Sequence, residues 1–182
     1  MNLPNALTVG RIFLVPLLVV VLLTKFEGRL ILGIHKELVG AAIFGIASLT
    51  DVLDGYLARR RKQITTFGQL MDPLADKLLI TAAFISLVQM DLAPAWMVAV
   101  IIGREIFVTV IRSIAHGKGV VIPASWMGKL KMTAEVVAIL ALILGQELLQ
   151  QFYVVGTIAL WVAMLTATIS GFDYYRRFAR IG

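Results

Sequence analysis

Six apolar blocks, each long enough to cross a bilayer core as a helix, constrain this chain more than any other feature. About 20 helical residues suffice for a crossing. The blocks lie at roughly 4–24, 38–60, 69–90, 94–115, 127–146 and 150–175. Of 182 residues, 59% are hydrophobic and 15% charged, and the mean hydropathy is +0.90. A soluble domain of this length needs far more polar surface to cover its core. The expected fold is therefore all-α: one polytopic membrane bundle of six transmembrane helices over residues 1–182, with no repeat and no long linker. Pro4 and Pro94 fall near helix starts, where a missing N–H is harmless, and Pro16 is an interruption that membrane helices tolerate. The opening "MNLPNALTVGRIFLVPLLVVVLLTKF" has no basic region before its apolar run and no small-x-small site after it, so it is expected to stay as the first helix.

The absence of cysteine rules out disulfides and thiolate metal sites. The formal charge is +6. In a soluble protein that would raise nucleic acid as a partner. Here the basic residues cluster between apolar spans, which favours anionic lipid or a phosphorylated substrate, and no nucleic acid. Of the 17 Lys and Arg, Lys25, Arg29 and Lys36 lie in the first connection and the other 14 fall on the opposite side. Setting aside the six inside spans leaves eight against three. That bias puts both termini in the cytoplasm.

Two carboxylates close the second block, in "LTDVLDGYLARR", and two more open the third. Asp51 and Asp54 are three apart and share a helical face, as do Asp72 and Asp76, four apart. A short turn, "RRRKQITTFG", would bring all four together near the cytoplasmic helix ends. Crowded carboxylates repel and are costly to desolvate. Divalent cations are the simplest compensation, and hard oxygen donors favour Mg²⁺, Mn²⁺ or Ca²⁺ over zinc. The alternative is surface pairing of the acids with Arg59 to Lys62. Gly55 and Ala58 lie near the carboxylate face, which leaves room for a ligand or for close helix packing.

A second polar stretch is "GREIFVTVIRSIAHGKGVVIPASWMGKLKM". Arg104 and Arg112, eight apart, lie about 80° apart around a helix axis, so both can border one cavity. Lys129 and Lys131 follow at the start of the fifth span. Four cations with few acids nearby point to an acceptor bearing a phosphate, gripped most strongly by the arginine forks. The competing reading pairs Lys131 with Glu135 and leaves the others snorkelling toward lipid headgroups. His116 is read as interfacial and His35, in the outer connection, as a bystander.

Asp51, Asp54, Gly55, Ala58, Arg59, Gly68, Asp72 and Asp76 follow D-x2-D-G-x2-A-R-x8-G-x3-D-x3-D without a departure. That signature resembles the CDP-alcohol phosphotransferases, membrane enzymes of phospholipid synthesis. The resemblance implies a homodimer of six-helix chains with a polar cavity open to the cytoplasm and two divalent metals, Mg²⁺ or Mn²⁺. It implies Asp51, Asp54, Asp72 and Asp76 as metal ligands, with Asp76 also the base. Asp54, Gly55, Ala58, Arg59 and Gly68 would lie along the CDP-lipid. The stretch "GRE", the following Arg and "GK-x-K" resemble the bacterial branch of that family whose acceptor is glycerol 3-phosphate, with Met132 where that branch often has Thr. The implied substrates are CDP-diacylglycerol and sn-glycerol 3-phosphate, with Arg104, Arg112, Lys129 and Lys131 at the acceptor phosphate. "NLPNALTVGRIFLVP" is similar to the same branch, which implies Asn5, Thr8 and Arg11 near the nucleotide diphosphate; helix capping or inter-helix bonding is the alternative for Asn5 and Thr8. Three rivals stay open: another acceptor such as inositol phosphate or serine, a divalent cation transporter, and a noncatalytic scaffold joined through Gly40, Ala41, Gly45 and Ser48.

Overall fold

The computed structural model describes residues 3–24, 30–31, 33–61, 66–117, 119–120, 126–146 and 149–179, without the side chains of 3–5, 30 and 51–70. Six helices account for most of it. They are α1 (Leu3–Leu23), α2 (Lys36–Arg61), α3 (Thr66–Gln89), α4 (Ala95–Gly117), α5 (Trp126–Gly145) and α6 (Gln150–Ala179). Each expected apolar block has its helix, and α2, α4 and α6 run a little beyond the apolar residues. Among the described residues two helices, α1 and α6, are long and apolar enough to cross a membrane by themselves. Between α1 and α2 is an antiparallel ribbon of β1 (Leu30–Ile31) and β2 (Ile34–His35). Strands of two residues are too short to carry a period in the sequence. Gly33, at φ 82°, supplies the left-handed turn the ribbon needs.

Local chemistry ends the helices. At the close of α3, Leu92 N–H donates to the Leu87 carbonyl at 2.9 Å and Asp91 N–H to the Val88 carbonyl at 3.1 Å. This is a Schellman cap, with Asp91 in the left-handed region at φ 58°. The end of α4 repeats it: Val120 N–H reaches the Ala115 carbonyl, Gly119 N–H reaches His116, and Gly119 has φ 76°. Pro94 precedes α4 and accepts from Met97 and Val98 N–H.

The bundle packs around Leu18 and Leu22 of α1, Phe44 of α2, Phe84 of α3, Ile101 of α4 and Leu142 of α5, all essentially inaccessible. Helix α6 packs along α5 and α4, while α1 packs against both α2 and α3 more extensively than those two meet each other. Gly40 and Ala41 are buried within the chain, Gly40 facing Leu22 of α1 and Ile143 of α5. These two positions of the scaffold reading are thus occupied by the chain's own helices. Large apolar side chains also cover the outside of every helix, including Phe13, Ile46, Ile85, Ile106, Trp126 and Phe172.

Candidate active site

The position of α1 between α2 and α3 brings two of its polar residues to the acidic region. The Thr8 hydroxyl donates to Asp72 Oδ1 on α3. Arg11, buried, directs its Nε to the Ala47 carbonyl of α2 at 3.2 Å. A charge in so apolar a bundle is costly to hold, so its placement is not incidental. Asp72 and Asp76 project from successive turns of α3, both half-buried. Pro73 between them lacks an N–H and so removes one rung from the helix ladder. Asp51, Asp54, Gly55, Ala58, Arg59 and Gly68 stand on the helical backbones of α2 and α3, but their side chains, like that of Asn5, lie outside the described residues.

Asp76 opens onto a cavity of about 720 Å³ between α3, α4 and α5, with Tyr174 of α6 also lining it. Arg104, Arg112, Lys129 and Lys131 line the same cavity. The eight-residue spacing of the two arginines does bring them to one space. Their surroundings differ. Arg104 is nearly buried. Its Nε and Nη2 donate to Ser170 Oγ on α6 at 3.0 and 2.6 Å, and its Nη1 donates to Glu105 at 3.0 Å. Its guanidinium lies 5.9 Å from the Tyr174 ring centre, within cation–π range. Arg112 and Lys129 are exposed, and among the described residues neither has an ion pair.

Lys131 is buried and pairs with Glu105, and its Nζ lies 3.0 Å from Glu135 one turn along α5. The Lys131–Glu135 pairing that the four-residue spacing allowed is therefore formed, alongside one to Glu105. Lys77, next to Asp76, donates to the Thr109 hydroxyl at 2.5 Å and lies 4.0 Å from Glu105. Ser170, Lys77 and Thr109 were not singled out from the sequence. A serine in an apolar helix reads as a packing residue, and Lys77 counted only as a charge within a span. His116, read as interfacial, is exposed and also borders the cavity.

The geometry combines acids and bases in one space: Asp76 beside Lys77 on α3, and Glu105 and Glu135 among the guanidinium and ammonium groups of α4 and α5. Such a cavity can bind an anion and take up a proton beside it. Asp72 and Asp76 contribute hard oxygen donors of the kind that hold Mg²⁺ or Mn²⁺, and they are the half of the four-carboxylate set whose side chains are described.

Comparison with known proteins agrees with the acidic signature. The family model described as CDP-alcohol phosphatidyltransferase matches residues 1–169. The chain belongs to that family. It is 46% identical to the CDP-diacylglycerol--glycerol-3-phosphate 3-phosphatidyltransferase of Bacillus subtilis (strain 168), over 97% of this chain and 94% of that protein. It is 41% identical to a probable phosphatidylglycerophosphate synthase of Mycobacterium tuberculosis (strain ATCC 25618 / H37Rv), over 98% of this chain and 82% of that one. A protein of Rickettsia typhi (strain ATCC VR-144 / Wilmington) with the same name as the first is 36% identical over 96% of each chain.

Proposed function

We propose that this protein transfers the phosphatidyl group from CDP-diacylglycerol to sn-glycerol 3-phosphate, giving phosphatidylglycerophosphate and CMP. The observation that carries this reading is the joining of Asp76 with Arg104, Arg112, Lys129 and Lys131 in one cavity, in a chain whose relatives bear the names given above. The acceptor's hydroxyl oxygen forms a bond to the lipid-bearing phosphorus while the bond to the CMP oxygen breaks. The Asp76 carboxylate accepts the hydroxyl proton. Arg112 and Lys129 hold the acceptor's phosphate, with Arg104 and Lys131 behind them. Thr8 and Asp72 orient the diphosphate end together with Arg11. Asp51, Asp54, Asp72 and Asp76 would hold two Mg²⁺ or Mn²⁺ ions, which would supply charge neutralisation at the diphosphate.

The same reading places the chain as a multi-pass protein of the cytoplasmic membrane. Apolar side chains on the outside of all six helices support that placement. The excess of Lys and Arg outside the first connection supports cytoplasmic termini and a cavity open to the cytoplasm. Membership of the family supports a homodimer.

The test is CMP release by purified protein given CDP-diacylglycerol and sn-glycerol 3-phosphate, before and after chelation. Release that stops on chelation and returns with Mg²⁺ or Mn²⁺ is expected. Turnover with serine or inositol phosphate in place of glycerol 3-phosphate moves the acceptor assignment. Cation uptake into liposomes without CMP formation overturns the transfer reading altogether.

A further inference from the structure

We propose that Glu105 is the positioning residue of the acceptor pocket, an inference that rests on the transfer reading above. One carboxylate gathers cations from three helices. Its Oε2 takes Arg104 Nη1 of α4 at 3.0 Å and Lys131 Nζ of α5, and its Oε1 lies 4.0 Å from Lys77 Nζ of α3. Its own backbone carbonyl accepts from the Thr109 hydroxyl at 2.7 Å, and that hydroxyl in turn accepts from Lys77 at 2.5 Å. The α3 wall bearing Asp76 is thereby tied to the α4 and α5 walls bearing the cations.

Two observations separate this role from simple neutralisation. Both carboxylates line the cavity, but Glu135 serves Lys131 from a buried position, with 3% of its side chain exposed, whereas Glu105 keeps 30% exposed. Arg104 is also held from the other side by Ser170, so Glu105 fixes the direction of a fork that is anchored at its far edge. Without Glu105, Lys131 would keep only Glu135, and Lys77 and Arg104 would lose the carboxylate that draws them to it, leaving the cations to separate by repulsion.

The two roles predict opposite signs. Deleting a negative charge beside an anion site raises anion affinity when the charge acts only through the field. It lowers affinity when the charge holds the binding groups in place. We expect Glu105→Gln to raise the KM for sn-glycerol 3-phosphate about tenfold while leaving the KM for CDP-diacylglycerol within about twofold. Glu105→Asp, which keeps the charge and shortens the reach, is expected to fall between wild type and Gln. An acceptor KM that falls or stays level in Glu105→Gln overturns the proposal, as does an equal rise in both KM values. Should the Gln variant not yield folded protein, Glu105→Asp alone decides, by the presence or absence of an acceptor-selective KM increase. Wild-type turnover with sn-glycerol 3-phosphate is read first. Its absence overturns the transfer reading and this inference with it, and its presence with an unmoved variant KM overturns this inference alone.

Discussion

The acidic and basic walls of the site hold their charges by different means. On the acidic side a neutral hydroxyl, Thr8, positions Asp72, and among the described residues the ion pairs fall on Glu105, Glu135 and Asp173 rather than on Asp72. A dipole orients a carboxylate without cancelling it, so the charge stays available to a cation. On the basic side charge holds charge: Glu105 and Glu135 between them take up Lys77, Arg104 and Lys131. Arg112 and Lys129 are left with their charge available to an anion. Each wall is incomplete in the opposite sense, which suits the proposed transfer, in which a diphosphate would be held through cations and a phosphate through side chains.

The largest effect should come from the acidic wall. Asp76→Asn keeps the size of the side chain and removes its basicity. The loss expected on removing a general base is roughly 10²–10⁴ in kcat. Single-turnover CMP release at saturating Mg²⁺ and both substrates should show the loss. Near wild-type turnover would sink the base role and leave Asp76 as a structural neighbour of the cavity.

A smaller, selective effect is expected on the basic wall. Arg112→Ala or Lys129→Ala removes a charged hydrogen-bond donor, an interaction of about 1.5–3 kcal/mol. The KM for glycerol 3-phosphate should therefore rise roughly tenfold to a hundredfold, since about 1.4 kcal/mol is tenfold. The KM for CDP-diacylglycerol should stay. Equal weakening of both substrates would show that the two walls do not divide the ligands as argued. Within the acidic wall, Thr8→Val should lower turnover by about threefold to tenfold, because an orienting bond of roughly 1 kcal/mol is lost and Asp72 remains. Thr8→Ser should retain most activity. A Val variant equal to wild type would mean that Asp72 is placed by its helix alone.

How far the sequence leads differs between these parts for physical reasons. The six helices are legible because each carries a long apolar block, and their observed limits lie within a few residues of those blocks. The pairing of Asp72 with Asp76 on one face of α3 follows from helical spacing. So does the meeting of Arg104 and Arg112 in one cavity. Their unequal burial does not follow, because it is set by α6 closing over α4 and placing Ser170 against the Arg104 fork. The link from Thr8 to Asp72 spans 64 residues and depends on α1 lying between α2 and α3, a packing choice that hydropathy does not encode. Glu105 was visible only as a nearby acid. Its place among three cations needed three helices in register.

The mildest prediction concerns a contact that serves both walls without belonging to either. Gly156 on α6 lies so close to α5 that an added Cβ would sit 2.7 Å from Leu142 Cγ and 2.9 Å from its backbone nitrogen. The backbone cannot yield as a side-chain end can, so Gly156→Ala must push the two helices apart. Overpacking of this kind costs about 1–3 kcal/mol. The corresponding change at Gly40 meets only the side chain of Leu22 and Ile143, whose ends can rotate away. Thermal unfolding in detergent should therefore show a lower midpoint for Gly156→Ala than for Gly40→Ala. Both variants should keep wild-type KM values at a temperature where they are folded. A rise in the acceptor KM confined to Gly156→Ala would mean that α6 transmits strain to Arg104 through Ser170, so the basic wall depends on its backing helix as much as on its ion pairs.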